Sequence, residues 1–360
     1  MSYRKRIAIM GCIIGIFLLV SIGLALAKES IVVVNLLIDA DIDPSSTPEQ
    51  IKMAEDSLIY LTNQIDPKGL GATIFVTENM VRMDRLGVTY QGTMKNHELA
   101  LQGNRTDEGL SSLSASDQEK LLTSARDKLY RCYVCGGEHV AIKGFLPSAF
   151  DQNEDTLKIL EKLGIIYDAG FQAGVIYRPG YENATWPYAI EGFNLYAVPV
   201  STYQINDERV YLSDRYLKEE KKLSGSQWYD LLVKKFDESS ENGDPMVVIF
   251  SNLVSGSGDY LDAYKKFIDY ALSRQAAFVT TLQLVDMAAA RKKGGKIGAI
   301  AVTNEGNLST NATDVGVIPN CPTCGKTGEA AVTSIINVTV QKGSKCLDCI
   351  KDSVNSTNST

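Results

Sequence analysis

Apolar and polar positions trade places along this chain in a strand–helix rhythm that runs from residue 31 to about residue 291. The opening run, I-V-V-V-N-L-L-I, is apolar at seven of eight positions, and five of those seven are β-branched. A run so continuous reads as a strand buried on both faces, as in a parallel sheet or an α/β barrel. Over 48–63 the apolar residues Ile51, Met53, Leu58, Ile59 and Leu61 sit in a charged background, which predicts an amphipathic helix. Further strands are predicted over 72–77, 97–101, 141–145, 165–168, 194–200, 245–250 and 277–281. Helices are predicted over 78–86, 114–130, 151–163, 228–239 and 260–273, with a last one ending near Arg291. Between 201 and 216 the pattern predicts nothing regular. Alternation of this kind means an α/β fold, and no glycine-rich phosphate loop follows the first strand, so a distorted (β/α) barrel is favoured over a doubly wound sheet.

Charge narrows the partners. With 36 Lys and Arg against 43 Asp and Glu the net charge is −7, and no basic cluster carries interleaved aromatics, so a nucleic-acid binder is excluded. At the amino terminus Arg4-Lys5-Arg6 precedes an apolar run over 7–27 that closes on Ala25-Leu26-Ala27. Residues 1–28 read as a cleaved signal peptide or as a retained membrane anchor, and either places the protein outside the cell or on its surface. Seven Asn-x-Ser/Thr sequons, at Asn104, Asn183, Asn307, Asn311, Asn337, Asn355 and Asn358, support export. The barrel is expected over 29–293, a small cysteine-tied module over 294–354, and a flexible tail over 355–360.

That module rests on Cys321, Cys324, Cys346 and Cys349, spaced C-P-T-C-G…C-L-D-C. Two such pairs resemble a zinc ribbon, with disulfides as the alternative in an exported protein. Cys132 and Cys135 form a third pair, read as a local disulfide or as a half site completed by Glu138 and His139.

The candidate chemistry lies at the carboxyl end of the first strand, where Asp39, Asp41 and Asp43 alternate. Side chains two apart point the same way, so Asp39 and Asp41 reach one cleft. Paired carboxylates there make a base beside a metal ligand or an acid/base pair; otherwise they cap the turn toward Thr47-Pro48-Glu49. Around 175–230, Tyr177, Arg178, Trp186, Asp214 and Arg215 are candidates for sugar contacts. Of the only two histidines, His97 lies early in its strand and reads as structural.

In order along the chain, V-V-N-L-L-I-D-A-D, A-T-I-F-V-T, N-H-E-L-A-L-Q-G, Gly144-Phe145-Leu146-Pro147, Y-D-A-G-F, V-V-I-F-S-N and F-V-T-T-L resemble the polysaccharide deacetylases, especially their exported archaeal members. The resemblance implies a distorted barrel with a groove for polysaccharide. It implies a divalent metal held by one aspartate and two histidines, an aspartate base and a histidine acid, in a hydrolase of carbon–nitrogen bonds other than peptide bonds. The resemblance assigns Asp39 to the base, Asp41 to the metal aspartate and Asp168 to the acid that closes the fourth motif. The two metal histidines are replaced by Gln102 and Thr106, the basic residue before the proline by Leu146, and the acid histidine by Ser251. A neutral amide and a hydroxyl are weak ligands for a transition metal. The expectation is therefore a catalytically impaired, carbohydrate-directed domain with a doubtful barrel metal. An active metal-dependent deacetylase and a purely structural surface protein are the alternatives.

Overall fold

The structure, a computed structural model, describes residues 31–42, 45–82, 96–103, 109–135 and 142–292. The readings of residues 1–28, Asp43, Asn104, Thr106, His139 and the four-cysteine segment lie outside the described residues, as do those of the Cys132 and Cys135 side chains. The membrane reading is corrected. Among the described residues no helix is long and apolar enough to cross a membrane; the long ones are amphipathic, with one buried stripe and a charged outer face. The transmembrane character, the membrane as a partner and anchoring at the cell surface through residues 7–27 are therefore withdrawn, and residues 7–27 themselves lie outside the described residues.

Strands and helices alternate much as the pattern predicts. The strands are β1 (Val33–Ala40), β2 (Thr73–Thr77), β3 (Glu98–Gly103), β4 (Gly144–Phe145), β5 (Tyr167–Gln172), β6 (Tyr188–Ala189), β7 (Tyr196–Val200), β8 (Thr202–Ile205), β9 (Glu208–Tyr211), β10 (Met246–Ser251) and β11 (Ala277–Val279). The helices are α1 (Pro48–Thr62), α2 (Glu78–Arg82), α3 (Ala115–Cys135), α4 (Glu154–Lys162), α5 (Asp214–Glu219), α6 (Gly225–Asn242), α7 (Asn252–Ser255), α8 (Gly258–Ser273) and α9 (Thr281–Lys292). Sequence chemistry sets their starts. Thr47, Asn153 and Ser224 each accept a backbone amide while the residue three on returns a bond, the reciprocal cap worth about 1 kcal/mol per helix. Thr47 thus caps α1 by itself, and the aspartates of β1 are free of that role.

One sheet runs in the order β10-β1-β2-β3-β4-β5-β7-β6, parallel throughout except for β6 against β7. β11 lies beside the first half of β1 and β2 beside its second half. The sheet curls into a half-barrel. Past β7, the Ser201 amide donates to the Val247 carbonyl and the Val247 amide to the Ser201 hydroxyl, both at 2.9 Å, so the chain comes back to β10.

Two-residue alternation divides the strands between the faces. In β1, Val34, Leu36, Ile38 and Ala40 join the large core under the helices, whereas Val33 and Leu37 join the interior of the curl with Phe75, Ala100, Tyr167, Ala169 and Val198. Asn35 and Asp39 share the interior parity. α9 lies against the amino-terminal ends of the strands, adding Leu284 and Val285 to the interior cluster. It is latched there by Glu98. This carboxylate accepts from the Tyr167 hydroxyl at 2.6 Å, the Leu282 amide at 2.9 Å and the Thr73 hydroxyl at 3.2 Å.

Candidate functional site

The opposite, carboxyl-terminal end of the strands holds the buried acids. Asp39 is the last interior-facing residue of β1 and lies directly across from Ser251 in the parallel register with β10. Asp41 follows two residues on. The Thr77 hydroxyl donates to Asp41 Oδ1 at 2.7 Å, and Thr77 also accepts the Met80 amide that opens α2. Asn252 clamps the backbone at the same place. Its Oδ1 accepts the Asp41 amide at 3.2 Å, and its Nδ2 donates to the carbonyls of Asp41 and Ala54. The end of β1 is thus tied to β2 through Thr77 and to α1 through Asn252 of α7.

Arg215 occupies the middle of this arrangement. Its Nη2 donates to the Ser251 hydroxyl at 2.8 Å and lies 3.5 Å from Asp39 Oδ2. The Arg215 side chain is 23% exposed against 8% for Asp39, so solvent reaches the arginine more than the aspartate. Burial works against the guanidinium's charge, but Asp39, Asp41 and Asp214 outweigh it and hold its pKa above the ordinary arginine value. Burial pushes the Asp39 carboxyl up; Arg215 opposes that, Asp41 adds to it, and the Gln102 amide opposes it. Gln102 itself is buried on β3, with Oε1 lacking a hydrogen-bond partner, as does Asp39 Oδ1.

Asp214, one of the expected sugar contacts, stands beside the arginine in sequence and accepts its backbone amide. It is fully buried. Its carboxylate accepts the Ser251 amide at 3.0 and 2.9 Å, the Ser255 hydroxyl at 2.5 Å and its neighbour Arg215's amide at 2.6 Å. Burial dominates these donors and raises its pKa to about 7. Ser251, for its part, accepts the Leu253 amide and caps α7.

Asp168 sits elsewhere. Its neighbours Tyr167 and Ala169 both face the interior, so alternation turns Asp168 to the other side of β5. There Oδ1 accepts the Gly170 amide at 2.8 Å, Oδ2 has no partner, and burial raises the pKa to about 7. Of the proposed sugar contacts, Tyr177 is exposed and Arg178 pairs with Glu154 at 2.8 Å. Trp186 bonds to the Gly243 carbonyl and stacks under Arg291, at the amino-terminal side of β10. The structure therefore unites Asp39, Asp41, Gln102, Arg215 and Ser251, and leaves Asp168, Arg178 and Trp186 apart. His97 has a buried ring against Asp66, as a structural residue would.

Thr77, Asn252 and Ser255 escaped the sequence reading. Asn252 had a signal, since a Ser-Asn pair directly after a buried strand is a cap chemistry. Thr77 and Ser255 had none.

Among the described residues no group of three or more His, Cys, Asp or Glu could hold a metal ion. Beside the single aspartate at the expected ligand position stands a neutral amide, and a guanidinium already supplies positive charge to both carboxylates.

No family model matches the chain, and no curated protein matches it. Solved structures do. A protein assigned to the polysaccharide deacetylases from Mycobacterium smegmatis shares 16% identity at a TM-score of 0.56, over 74% of this chain and 93% of its own. Another so assigned, from Pseudomonas aeruginosa PAO1, shares 13% identity at 0.57, over 74% and 94%. The PuuE allantoinase shares 13% identity at 0.56, over 73% and 92%. At these identities the likeness shows the fold alone, a curled α/β half-barrel.

Proposed function

We propose that residues 29–293 form a carbohydrate-directed domain of deacetylase fold whose hydrolytic chemistry is lost or strongly impaired. One observation carries the reading: Arg215 spans Ser251 and Asp39. In the assignment made from the motifs, Asp39 is the base and Ser251 stands at the acid-histidine position. An arginine does not give up its proton near neutral pH, so it replaces neither an acid histidine nor a metal that acidifies water. Arg215 opposes the rise that burial gives the Asp39 carboxyl and so weakens it as a base. What remains is a polar barrel end, with a partly exposed guanidinium able to engage hydroxyl groups. Action outside the cell fits the exposed Asn183 sequon on the loop before β6. For 294–354 the proposal is a small module in which Cys321, Cys324, Cys346 and Cys349 hold zinc, on the strength of their spacing.

The test pairs binding with turnover. The full chain is incubated with insoluble acetylated and non-acetylated polysaccharides, with and without added zinc or manganese; sedimented protein and released acetate are both measured. Binding without acetate release is expected. Metal-dependent release abolished by Asp41→Ala would overturn the reading, and absence of binding to every polysaccharide would leave the fold without a carbohydrate role.

A further inference from the structure

Asp39 and Gln102, at the carboxyl-terminal end of the curl, are both buried, so a ligand that reaches them needs a covering to move. The partly exposed apolar side chains packed on the interior cluster sort by end. Leu282 and Met287 belong to α9, Trp186 stacks under Arg291 of the same helix, and Tyr196 opens β7. Phe150 and Tyr211 remain, and both stand at the carboxyl-terminal end. Phe150 closes the turn that leaves β4. Tyr211 leads into Leu212 and Ser213, which run beside Ile249 in the second half of β10. The two rings meet edge to face at 4.8 Å, so one contact bridges the ends of two separate strands.

The two sides of that contact are unequal. Tyr211 is a fixed seat: its ring stacks on Tyr216 at 4.2 Å, and Tyr216 is covered in turn by Lys221, which Glu208 holds through both carboxylate oxygens at 2.6 Å. Phe150 rides on a strained arch. The feet of the arch are pinned. The Leu146 amide donates to the Leu101 carbonyl at 3.0 Å, Asp151 accepts the Ser111 amide at 3.1 Å, and the Gln152 amide group donates to the Gly170 carbonyl at 3.1 Å. Between them Ala149 and Phe150 take φ of 51° and 59°, two successive non-glycine residues in the left-handed region. A Cβ there crowds the following carbonyl. Ala149 is exposed, so nothing in its own packing demands that backbone; what the arch gains is the Phe150 ring seated on the interior.

We infer that residues 148–150 form a lid over the carboxyl-terminal mouth of the curl, and that a saccharide enters as Phe150 leaves Tyr211. The inference rests on the carbohydrate reading above and says how that site is reached. Leaving the left-handed region relieves the backbone as the ring contact breaks, so strain offsets part of the lost packing and a ligand has less to overcome.

Two neighbouring substitutions move such a lid in opposite directions. Ala149→Gly removes the left-handed penalty and favours the closed arch, whereas Phe150→Ala removes the seated ring and favours the open one. Native-state hydrogen exchange on the full chain reads the arch through the amides of residues 150 and 151, which donate to the Pro147 and Ser148 carbonyls. After correction for intrinsic rates, exchange is expected to be about tenfold slower in Ala149→Gly and about tenfold faster in Phe150→Ala, with β1, β3 and β10 unchanged. Stopped-flow mixing with a tetramer of N-acetylglucosamine reads access: association slows in the first variant and speeds up in the second by similar factors. Exchange changes spread evenly over the barrel are plain stability effects and overturn the lid. Saccharide association at one rate in wild type and both variants also overturns it and leaves the carbohydrate reading standing. No association with any of the three proteins, Phe150→Ala included, overturns the carbohydrate reading, and the exchange result alone then decides the lid.

Discussion

Replacing Arg215 by methionine keeps most of the side-chain volume and removes the guanidinium. Three things follow from the geometry. Asp39 loses its counter-charge at 3.5 Å, the Ser251 hydroxyl loses a donor at 2.8 Å, and the guanidinium no longer offsets the repulsion between Asp39 and Asp41. Breaking one partner out of a buried ion pair costs roughly 3–5 kcal/mol, and the 23% exposure of Arg215 lets water recover part of that. We expect a loss of about 2–3 kcal/mol near neutral pH. The pH dependence gives the sharper test. The Asp39 carboxyl already lies above its ordinary value of 3.8, with Arg215 the leading influence that lowers it. Without Arg215 it rises further, so the variant's folded state binds a proton that the unfolded chain releases. The deficit is then greatest above the folded value of Asp39 and shrinks as pH falls and the carboxyl is neutralised. Urea unfolding of wild type and Arg215→Met at about pH 8 and about pH 5 reads both quantities. Equal stability at the higher pH, or a deficit of the same size at both, would refute the pairing.

Asp168, fully buried with a pKa raised from 3.8 to about 7, contributes stability that is present below the ordinary value and lost as pH rises through about 7. Asp168→Asn is expected to flatten the fall in stability between about pH 5 and about pH 8 by roughly 2–3 kcal/mol; parallel profiles for variant and wild type would count against it. Asp214 adds a similar fall, so the profile flattens without becoming level. Glu98→Ala strands the Leu282 amide and the Tyr167 hydroxyl at the latch of α9, for about 3 kcal/mol. Hydrogen exchange is then expected to speed up first in α9, and uniform acceleration over the barrel would contradict the latch. Asn252→Ala frees the amide and carbonyl of Asp41 and one carbonyl of α1. The expected cost is roughly 2 kcal/mol by urea unfolding, and a change within error would show that the clamp is idle.

Most strands were legible because strands of a parallel sheet covered on both faces are written as continuous apolar runs. The misses have local causes. β4 shrinks to two residues where Gly144 lies against the Tyr167 ring, so close that a Cβ there would stand 2.0 Å from it. β5 runs on to Gln172 through Gly170, where a side chain would meet Gln152 at 2.4 Å; a glycine that reads as a turn marks close packing instead. The β8–β9 hairpin was hidden because its strands are partly exposed and mixed in polarity, and because its turn uses Asn206 at φ 52° rather than a glycine. At the site, Asp39 and Asp41 were readable from their spacing on one strand. Their pairing with Arg215 was not, because the arginine comes from α5, a helix that the pattern did not announce. The side of β5 that Asp168 takes follows from the parity of its neighbours Tyr167 and Ala169, which the apolar pattern alone does not give.

The central claim is that a guanidinium, and no divalent ion, serves the carboxylates at the end of β1. Elemental analysis of the full-length chain, intact and with Cys321, Cys324, Cys346 and Cys349 all changed to serine, tests it most directly. The account predicts zinc in the intact protein and no stoichiometric metal in the serine variant. One equivalent retained by the serine variant, and lost when Asp41→Ala is added, would contradict it.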